Sequence, residues 1–417
     1  MHAKNISLHT RNIVIWRKPG GIIMSDQSAS QRWNMLFSPM QIGGKQAKNR
    51  FVVQAMEGND GLPGGAVSDR TRNRYVQLAK GKWGTVVVEA ISIDENAKAR
   101  INGLVINRKN LDSFKWLVDE YKKENPDGIL LFQLTHSGRK AGDFARPVAM
   151  YEEGRGNAHL LTEQEVEDIR QLMLEGSHFA KEAGADGIDF KMCHGYFGAE
   201  ILRPANVRDD KWGGSFENRT RFLLSSLKEL KSSLGKDGFV LGSRISMYEG
   251  IRGGCGTTDP DSYIEDLSEM KQLIALMAAE GADYLNISAG IPGVTSEITR
   301  PTNPSKYFYL HHFRYCKEAR EVSGDMKVIG SAYSILRDQA MDYAEENLNK
   351  GLIDLVGFGR QSFADPLLPV KLESGEKVNY CIACSACTKL MVGQVHDGCA
   401  IYDPYYRDML KKLNKSV

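Results

Sequence analysis

No run in this 417-residue chain approaches the ~20 consecutive apolar residues that a membrane-spanning helix needs. Nor is one sign of charge in excess: 54 Lys and Arg face 52 Asp and Glu, a net charge of +2 with pI near 8.0. So close a balance argues against nucleic acid or an anionic lipid surface as partner. The N-terminus lacks the apolar core of an export signal, because residues 12–16 are a short run followed by Arg17 and Lys18. No G-x-G-x-x-G fingerprint follows any strand-like segment. These absences leave a cytoplasmic globular protein as the expectation. The composition agrees, with 42% hydrophobic and 25% charged residues. The length suffices for one large domain or two ordinary ones.

What is present is a repeating unit: a short apolar run, a loop, then an amphipathic helical pattern. The runs occupy residues 51–56, 85–90, 129–135, 187–192, 240–245, 284–289, 327–332 and 355–360. Their near-continuous apolarity suits parallel strands covered on both faces. Helical patterns lie between them, as at 162–183, 260–280 and 334–350, and Thr162 with Glu165 reads as a capping box. Eight strand–helix alternations predict an α/β fold of the (β/α)8 TIM barrel class over residues 33–375. An open doubly wound sheet is the weaker alternative, since the glycine fingerprint is missing. Residues 1–32 are expected to be a disordered extension, and Met24 ahead of Ser25-Asp26-Gln27 is a second candidate start. Residues 376–417 form a short C-terminal cysteine-rich extension.

Barrels of this class place their chemistry at the carboxyl ends of the strands. Polar residues concentrate at those ends here, among them Gln54, Glu57, Glu89, Gln133, Arg244, Asn286, Ser288 and Arg360. The stretch at 187–222 is the most telling. Its apolar run carries Lys191 and leads directly into His194 and Tyr196. Three ionisable groups at the end of a buried strand are costly unless they are used. The stretch resembles the old yellow enzyme family of NADH:flavin oxidoreductases, which has a paired His-x-x-His/Asn-Gly-Tyr sequence and then Gly-Gly-Ser-x-Glu-Asn-Arg. His194, Gly195 and Tyr196 fit the first motif, with Lys191 standing where the family has its first His. Gly213, Gly214, Ser215, Glu217, Asn218 and Arg219 fit the second. The similarity runs in order over about residues 33–375.

The resemblance implies FMN. Small residues at the ends of the seventh and eighth strands, Gly330, Ala332 and Gly359, let backbone N–H groups approach a phosphate, and Arg360 adds a fork of donors. The family holds its FMN phosphate in a similar VGFGRQSFADP segment. Ala55 and Met56 match its first strand, beside the isoalloxazine. Ala90 matches a residue next to the ring, Gln133 the glutamine at the pyrimidine edge, and Arg244 the arginine facing N1 and O2, where charge develops on reduction. Some relatives bond the flavin through a Cys near Glu57; a carboxylate cannot do so, and a dissociable flavin is expected. Glu57 either lies near the ring and disfavours added negative charge, or points away and pairs with an Arg or Lys.

The same resemblance assigns Lys191 and His194 as ligands of an activated carbonyl oxygen and Tyr196 as the acid that protonates the α-carbon. A cation at position 191 suits an oxyanion or carboxylate better than a neutral ketone. The alternative for Lys191 is a structural ion pair with Asp189 or a neighbouring strand, and for His194 a satisfied core histidine.

Four of the seven cysteines, Cys381, Cys384, Cys387 and Cys399, follow the pattern C-x2-C-x2-C-x11-C. Disulfides do not suit a reducing cytoplasm. Zinc sites use two separated pairs more often, whereas three cysteines three apart with a distant fourth look like a [4Fe–4S] cradle; zinc stays open. The spacing is similar to that of the family's iron–sulfur branch, represented by trimethylamine dehydrogenase and 2,4-dienoyl-CoA reductase. Those relatives continue into nucleotide-binding domains, so electron exchange with a separate protein, a flavoprotein reductase or ferredoxin, is expected. The expected reaction is reduction of an activated C=C bond in a small enoate or enoyl thioester. Amine oxidation with electrons leaving through the cluster, and an electron-transfer subunit without a substrate, are the alternatives. Homo-oligomerisation is left open, and no nucleic acid or membrane partner is expected.

Overall fold

The β-branched runs form eight parallel strands that close on themselves. In the computed structural model, which describes residues 28–415 apart from 155 and 303–305, these are β1 (Phe51–Val53), β2 (Thr85–Ser92), β3 (Ile129–Thr135), β4 (Gly187–Met192), β5 (Val240–Ser246), β6 (Tyr284–Ser288), β7 (Lys327–Gly330) and β8 (Leu355–Phe358). Each pairs with the next, and β8 pairs with β1, so no edge is left. Helices α1 (Asp69–Lys80), α2 (Leu111–Glu124), α3 (Glu163–Glu182), α4 (Phe216–Leu234), α5 (Ser268–Ala279), α6 (Lys306–Arg320), α7 (Ala340–Asn349) and α8 (Leu368–Ser374) follow the strands in turn. This is the predicted (β/α)8 barrel.

Two apolar cores result from strands buried on both faces. The larger lies between strands and helices; the smaller fills the barrel interior with Val52, Val87, Ile129, Leu131, Val240, Tyr284, Ile329 and Leu355. An antiparallel hairpin, Met40–Ile42 against Lys45–Ala47, adds Ile42 and Ala47 to that interior core.

The helices start where their caps dictate. Thr162 and Glu165 exchange reciprocal bonds at the head of α3, as the sequence predicts. Ser215 accepts from Asn218 N–H at the head of α4. Most of the Gly-Gly-Ser-x-Glu-Asn-Arg signature turns out to be scaffolding. Arg219 donates to the Leu202 and Gly214 carbonyls and pairs with Glu269 at 2.6 Å, clamping α4 to the loop after β4.

Several boundaries differ from expectation. Strands β1, β7 and β8 stop at Val53, Gly330 and Phe358, because the chain turns outward to form the mouth and Ala332 is left-handed (φ 75°). The helix expected from 260 begins at Ser268, where the Asp266 carboxylate accepts from Ser268 N–H, and 260–267 is irregular. The helix expected from 334 is a 3₁₀ segment, Tyr333–Gln339, kinked at Arg337 before α7 begins. The disordered extension expected over 1–32 lies outside the described residues except at its end, where the structure corrects it. There Ala29–Arg32 is a helix capped by Ser28, and the Trp33 indole N–H donates to Asp342 at 2.7 Å.

Strand β2 carries a bulge: Val88 pairs with Phe132 but Ile91 with Leu134, so Glu89 and Ala90 together oppose Gln133. The extra residue turns Ala90 to the mouth while Glu89 stays buried against Arg74.

The cysteine-rich segment packs over the strand ends. The Gln361 side chain donates to Asn379 O and accepts from Cys381 N–H. Asp397 N–H donates to Gly58 O at 2.7 Å, and Asn59 donates to Val395 O at 3.0 Å. Helices Ala386–Val392 and Pro404–Leu413 enclose a small core of Ala386, Leu390, Ala400 and Tyr406.

Gly187 opens the strand that carries Lys191, and a Cβ there would collide with the Val240 carbonyl and side chain in β5. Gly187→Ala should therefore destabilise the protein by about 1–3 kcal/mol, as overpacking does, read as a lower urea midpoint. An unchanged midpoint would mean that the β4–β5 seam is slack.

Candidate active site

Just above the interior core, polar side chains cross the barrel. Asp189 accepts from Gln133 at 3.1 Å, from the Tyr284 hydroxyl at 3.1 Å and from Asn286 at 3.5 Å. Asn286 and Gln54 exchange paired amide bonds of 2.8 and 2.7 Å. Burial pushes the Asp189 carboxyl up to about 6, against the pull of Arg244. With its amide N–H committed to Asp189, Gln133 presents its oxygen as an acceptor.

This layer floors a cavity of about 350 Å³ at the carboxyl ends of the strands. Ala55, Met56, Ala90, Gln133, Arg244, Ala332, Gly359 and Arg360 all line it, as do Lys191, His194 and Tyr196. Gly330 does not. It is set back against Ile353, which a side chain there would strike, and Ser331, Ala332 and Ser334 form the wall instead.

The three groups at the end of β4 have distinct surroundings. Residues His194 and Gly195 are both left-handed (φ 65° and 72°), a turn that aims the imidazole and phenol into the mouth. His194 Nε2 shares a 2.7 Å bond with Ser288 Oγ. Burial, then the charges of Arg244 and Lys191, hold its imidazole well below the ordinary 6.5, so the ring is neutral. The Lys191 ammonium lies 3.3 Å from the centre of the Tyr196 ring. Among the described residues no ion pair joins it to Asp189, whose oxygens are already occupied. The Tyr196 hydroxyl donates to Glu57 at 3.2 Å. Glu57 lines the cavity and also pairs with Arg100 at 3.2 Å, which joins elements of both readings of that residue.

FMN fits this lining. Arg244 Nε is buried without a partner, and Arg360 is buried with one bond, to Pro301 O at 2.9 Å, and no carboxylate partner among the described residues. Gly359 and left-handed Ala332 bring backbone close to the cavity beside it. Cations outnumber acids on the wall: Arg100, Lys140, Lys191, Arg244, Arg300 and Arg360 face Glu57 and Asp397. No local pattern in the sequence marks Arg100, Arg300 or Asp397. They come from loops, not strand ends, and only tertiary folding brings them here.

Cys381, Cys384, Cys387 and Cys399 are free thiols around a second, smaller cavity, and Cys387 and Arg360 line both cavities. Ala383 and Ser385, both left-handed, bracket Cys384. Burial raises the Cys387 thiol to about 12 and pushes Cys381 and Cys399 above 9.0. The donor set fits a four-thiolate cluster. Among the described residues, however, no three Cys, His, Asp or Glu side chains are grouped closely enough to hold a metal ion.

A model of the NADH:flavin oxidoreductase / NADH oxidase family matches residues 35–379. An NADH oxidase of Thermoanaerobacter brockii is 28% identical over 84% of this chain and 52% of that protein. An N,N-dimethylglycine/sarcosine dehydrogenase of Chromohalobacter salexigens is 27% identical over 85% and 51%. A 2-naphthoyl-CoA reductase solved with 2-naphthoyl-CoA has the same fold, with TM-score 0.77 and 23% identity over 91% of this chain and 58% of that one. The chain thus spans about half the length of these relatives.

A neutral His194 has a direct signature. In a protein labelled at the histidine rings, its ring signals should show no titration step near 6.5, the ordinary midpoint. A step there would mean that the ring is solvated and free of Ser288.

Proposed function

Because the chain belongs to the NADH:flavin oxidoreductase / NADH oxidase family, we propose that it binds FMN at the barrel mouth and reduces an activated C=C bond. The observation that carries this reading is one cavity bounded by all three groups expected to meet substrate and by eight of the nine positions expected to meet flavin. Arg360, with backbone near Ala332 and Gly359, would hold the phosphate. Gln133 would accept from the pyrimidine edge, and Arg244 would face the side where negative charge grows. The bound flavin would supply hydride to the β-carbon of the substrate.

The chain's own groups do the rest. Lys191 and neutral His194 anchor the substrate oxygen, and the Lys191 charge favours an oxygen that carries or develops a full negative charge. Tyr196, whose phenol is kept above its ordinary 10 by burial and by the Glu57 carboxylate, arrives protonated and gives its proton to the α-carbon. Amine oxidation, the kind of activity for which the Chromohalobacter dehydrogenase is named, suits this wall less well. Six cations against two acids would repel an ammonium substrate.

We further assign Cys381, Cys384, Cys387 and Cys399 to a [4Fe–4S] cluster on residues 376–417, beside the FMN barrel of residues 33–375. The C-x2-C-x2-C-x11-C spacing, the shared cavity and the paired left-handed turns support it. Cys387 and Arg360 lie between the two sites, so electrons from a second redox protein or domain would enter through the cluster and pass to the flavin.

Protein prepared without oxygen should release FMN on acid treatment and contain about four iron and four sulfide per chain, as the cluster type requires. Arg360→Ala should lower FMN retention. Stoichiometric zinc without sulfide would refute the cluster, and flavin that stays with the denatured chain would refute non-covalent binding.

The reaction itself is tested by reoxidising the chemically reduced enzyme with enoates and enoyl thioesters in the absence of oxygen. Tyr196→Phe should keep flavin reduction but slow reoxidation by substrate roughly 10²–10⁴-fold, the usual worth of a general acid. An equal rate in the variant would assign the proton to water or another group.

A further inference from the structure

Tyr196 has a supply problem. Its side chain is almost fully enclosed, with 6% of its surface exposed. Every catalytic cycle removes its proton, so the phenolate must be recharged without direct contact with bulk water. The groups that touch it limit the route. Lys191 covers the ring and hydrogen-bonds to the phenol; its ammonium has protons to give, but at 6% exposed it is as enclosed as Tyr196 and would itself have to be refilled. His194 is bonded to Ser288. Besides Lys191, the partner of the hydroxyl among the described residues is the Glu57 carboxylate, whose two oxygens lie at 3.2 and 3.3 Å. Glu57 is the more open of the two, with its side chain 16% exposed, and its other neighbour Arg100 is equally exposed.

We propose that Glu57 returns the proton to Tyr196, carrying it inward from solvent after each turnover, and that Arg100 holds Glu57 in place for this task. The proposal rests on Tyr196 being the acid. The proton count closes. The Tyr196 O–H bond breaks as a C–H bond forms at the substrate α-carbon. The Glu57 carboxylate then takes a proton from solvent at the cavity mouth and passes it to the phenolate, which restores the phenol and the resting carboxylate. One solvent proton enters per cycle, and no electrons move in these steps.

The electrostatics agree. Burial would raise the Glu57 carboxyl, but Arg100 and Lys191 outweigh it and hold the group below 4.5. The resting carboxylate therefore accepts the phenol's hydrogen bond and keeps Tyr196 protonated to higher pH. Lys191 and Arg100 also offset the charge of the transient phenolate. Behind this pair stand Asp397, which faces Arg100, and the Arg74, Asp60 and Glu89 cluster, which grips the backbone at Gly58. Neither contacts the phenol. Glu57 acts on substrate only through Tyr196 and is a positioning residue.

The test compares one turnover with many, using holoenzyme of verified FMN content. In a single turnover Tyr196 starts with its proton, so Glu57→Gln should slow substrate-driven flavin reoxidation less than threefold. In steady state, with a viologen donor, the same variant should lose roughly 10- to 100-fold, part of the range for proton-transfer groups. Its alkaline limb should also move to lower pH. Glu57→Asp should recover part of the rate, and added acetate should rescue Glu57→Ala. The proposal is overturned by a steady-state rate and pH profile like wild type in Glu57→Gln, or by a single-turnover loss as large as the steady-state loss. Tyr196→Phe run alongside separates the two levels. A large loss there with no effect at Glu57 removes the relay alone, whereas no loss at Tyr196 removes the acid and the relay with it.

Discussion

Asp189 holds the working end of this barrel together. A carboxylate inside a barrel is tolerable only if its oxygens are bonded, and three donors from β3 and β6 meet it. Through Asn286 the network extends to Gln54 just past β1. Below it the interior is apolar; above it the cavity opens. The layer thus marks the boundary between a core that resists water and a mouth that admits a ligand. It also fixes which way two amides point, and so what the floor can recognise.

Around that floor the mouth is built from parts of unequal rigidity. Lys191 and Arg244 sit on paired strands in register with one another. His194 and Tyr196 sit on a turn held in a costly backbone conformation. Arg100, Arg300 and Asp397 come from connecting segments. The cysteine-rich segment completes the wall, held on the barrel by Gln361, Gly58 and Asn59. The excess of cations on this wall is a statement about ligands, since buried positive charge without carboxylate partners calls for anions to accompany it.

What the sequence made legible follows from periodicity. Eight apolar runs, eight helical patterns and the Thr162 capping box are local signals, and the fold follows from them. Residues on strands or immediately past them, such as Gln133, Lys191 and Arg244, could be placed because strand direction fixes where side chains go. Boundaries failed where local polar groups override the pattern, as at Asp266 ahead of α5. Gly330 failed for a different reason: a small residue at a strand end can serve packing against Ile353 as well as a phosphate. The Glu57–Arg100 pair was only half visible, because an acid can be read from sequence but its partner on a distant loop cannot.

Arg360 and Gln361 are adjacent, yet they serve different sites. Arg360 faces the barrel mouth, and Gln361 holds the backbone on which the first cysteine hangs. Whichever ligand first immobilises this dipeptide removes conformational freedom that the second would otherwise have to remove. Loading at one site should therefore favour loading at the other, with a coupling that is reciprocal by linkage. With FMN and a cluster held as proposed, the junction would make the two sites a cooperative pair in assembly, and a chain lacking either ligand would hold the other more loosely.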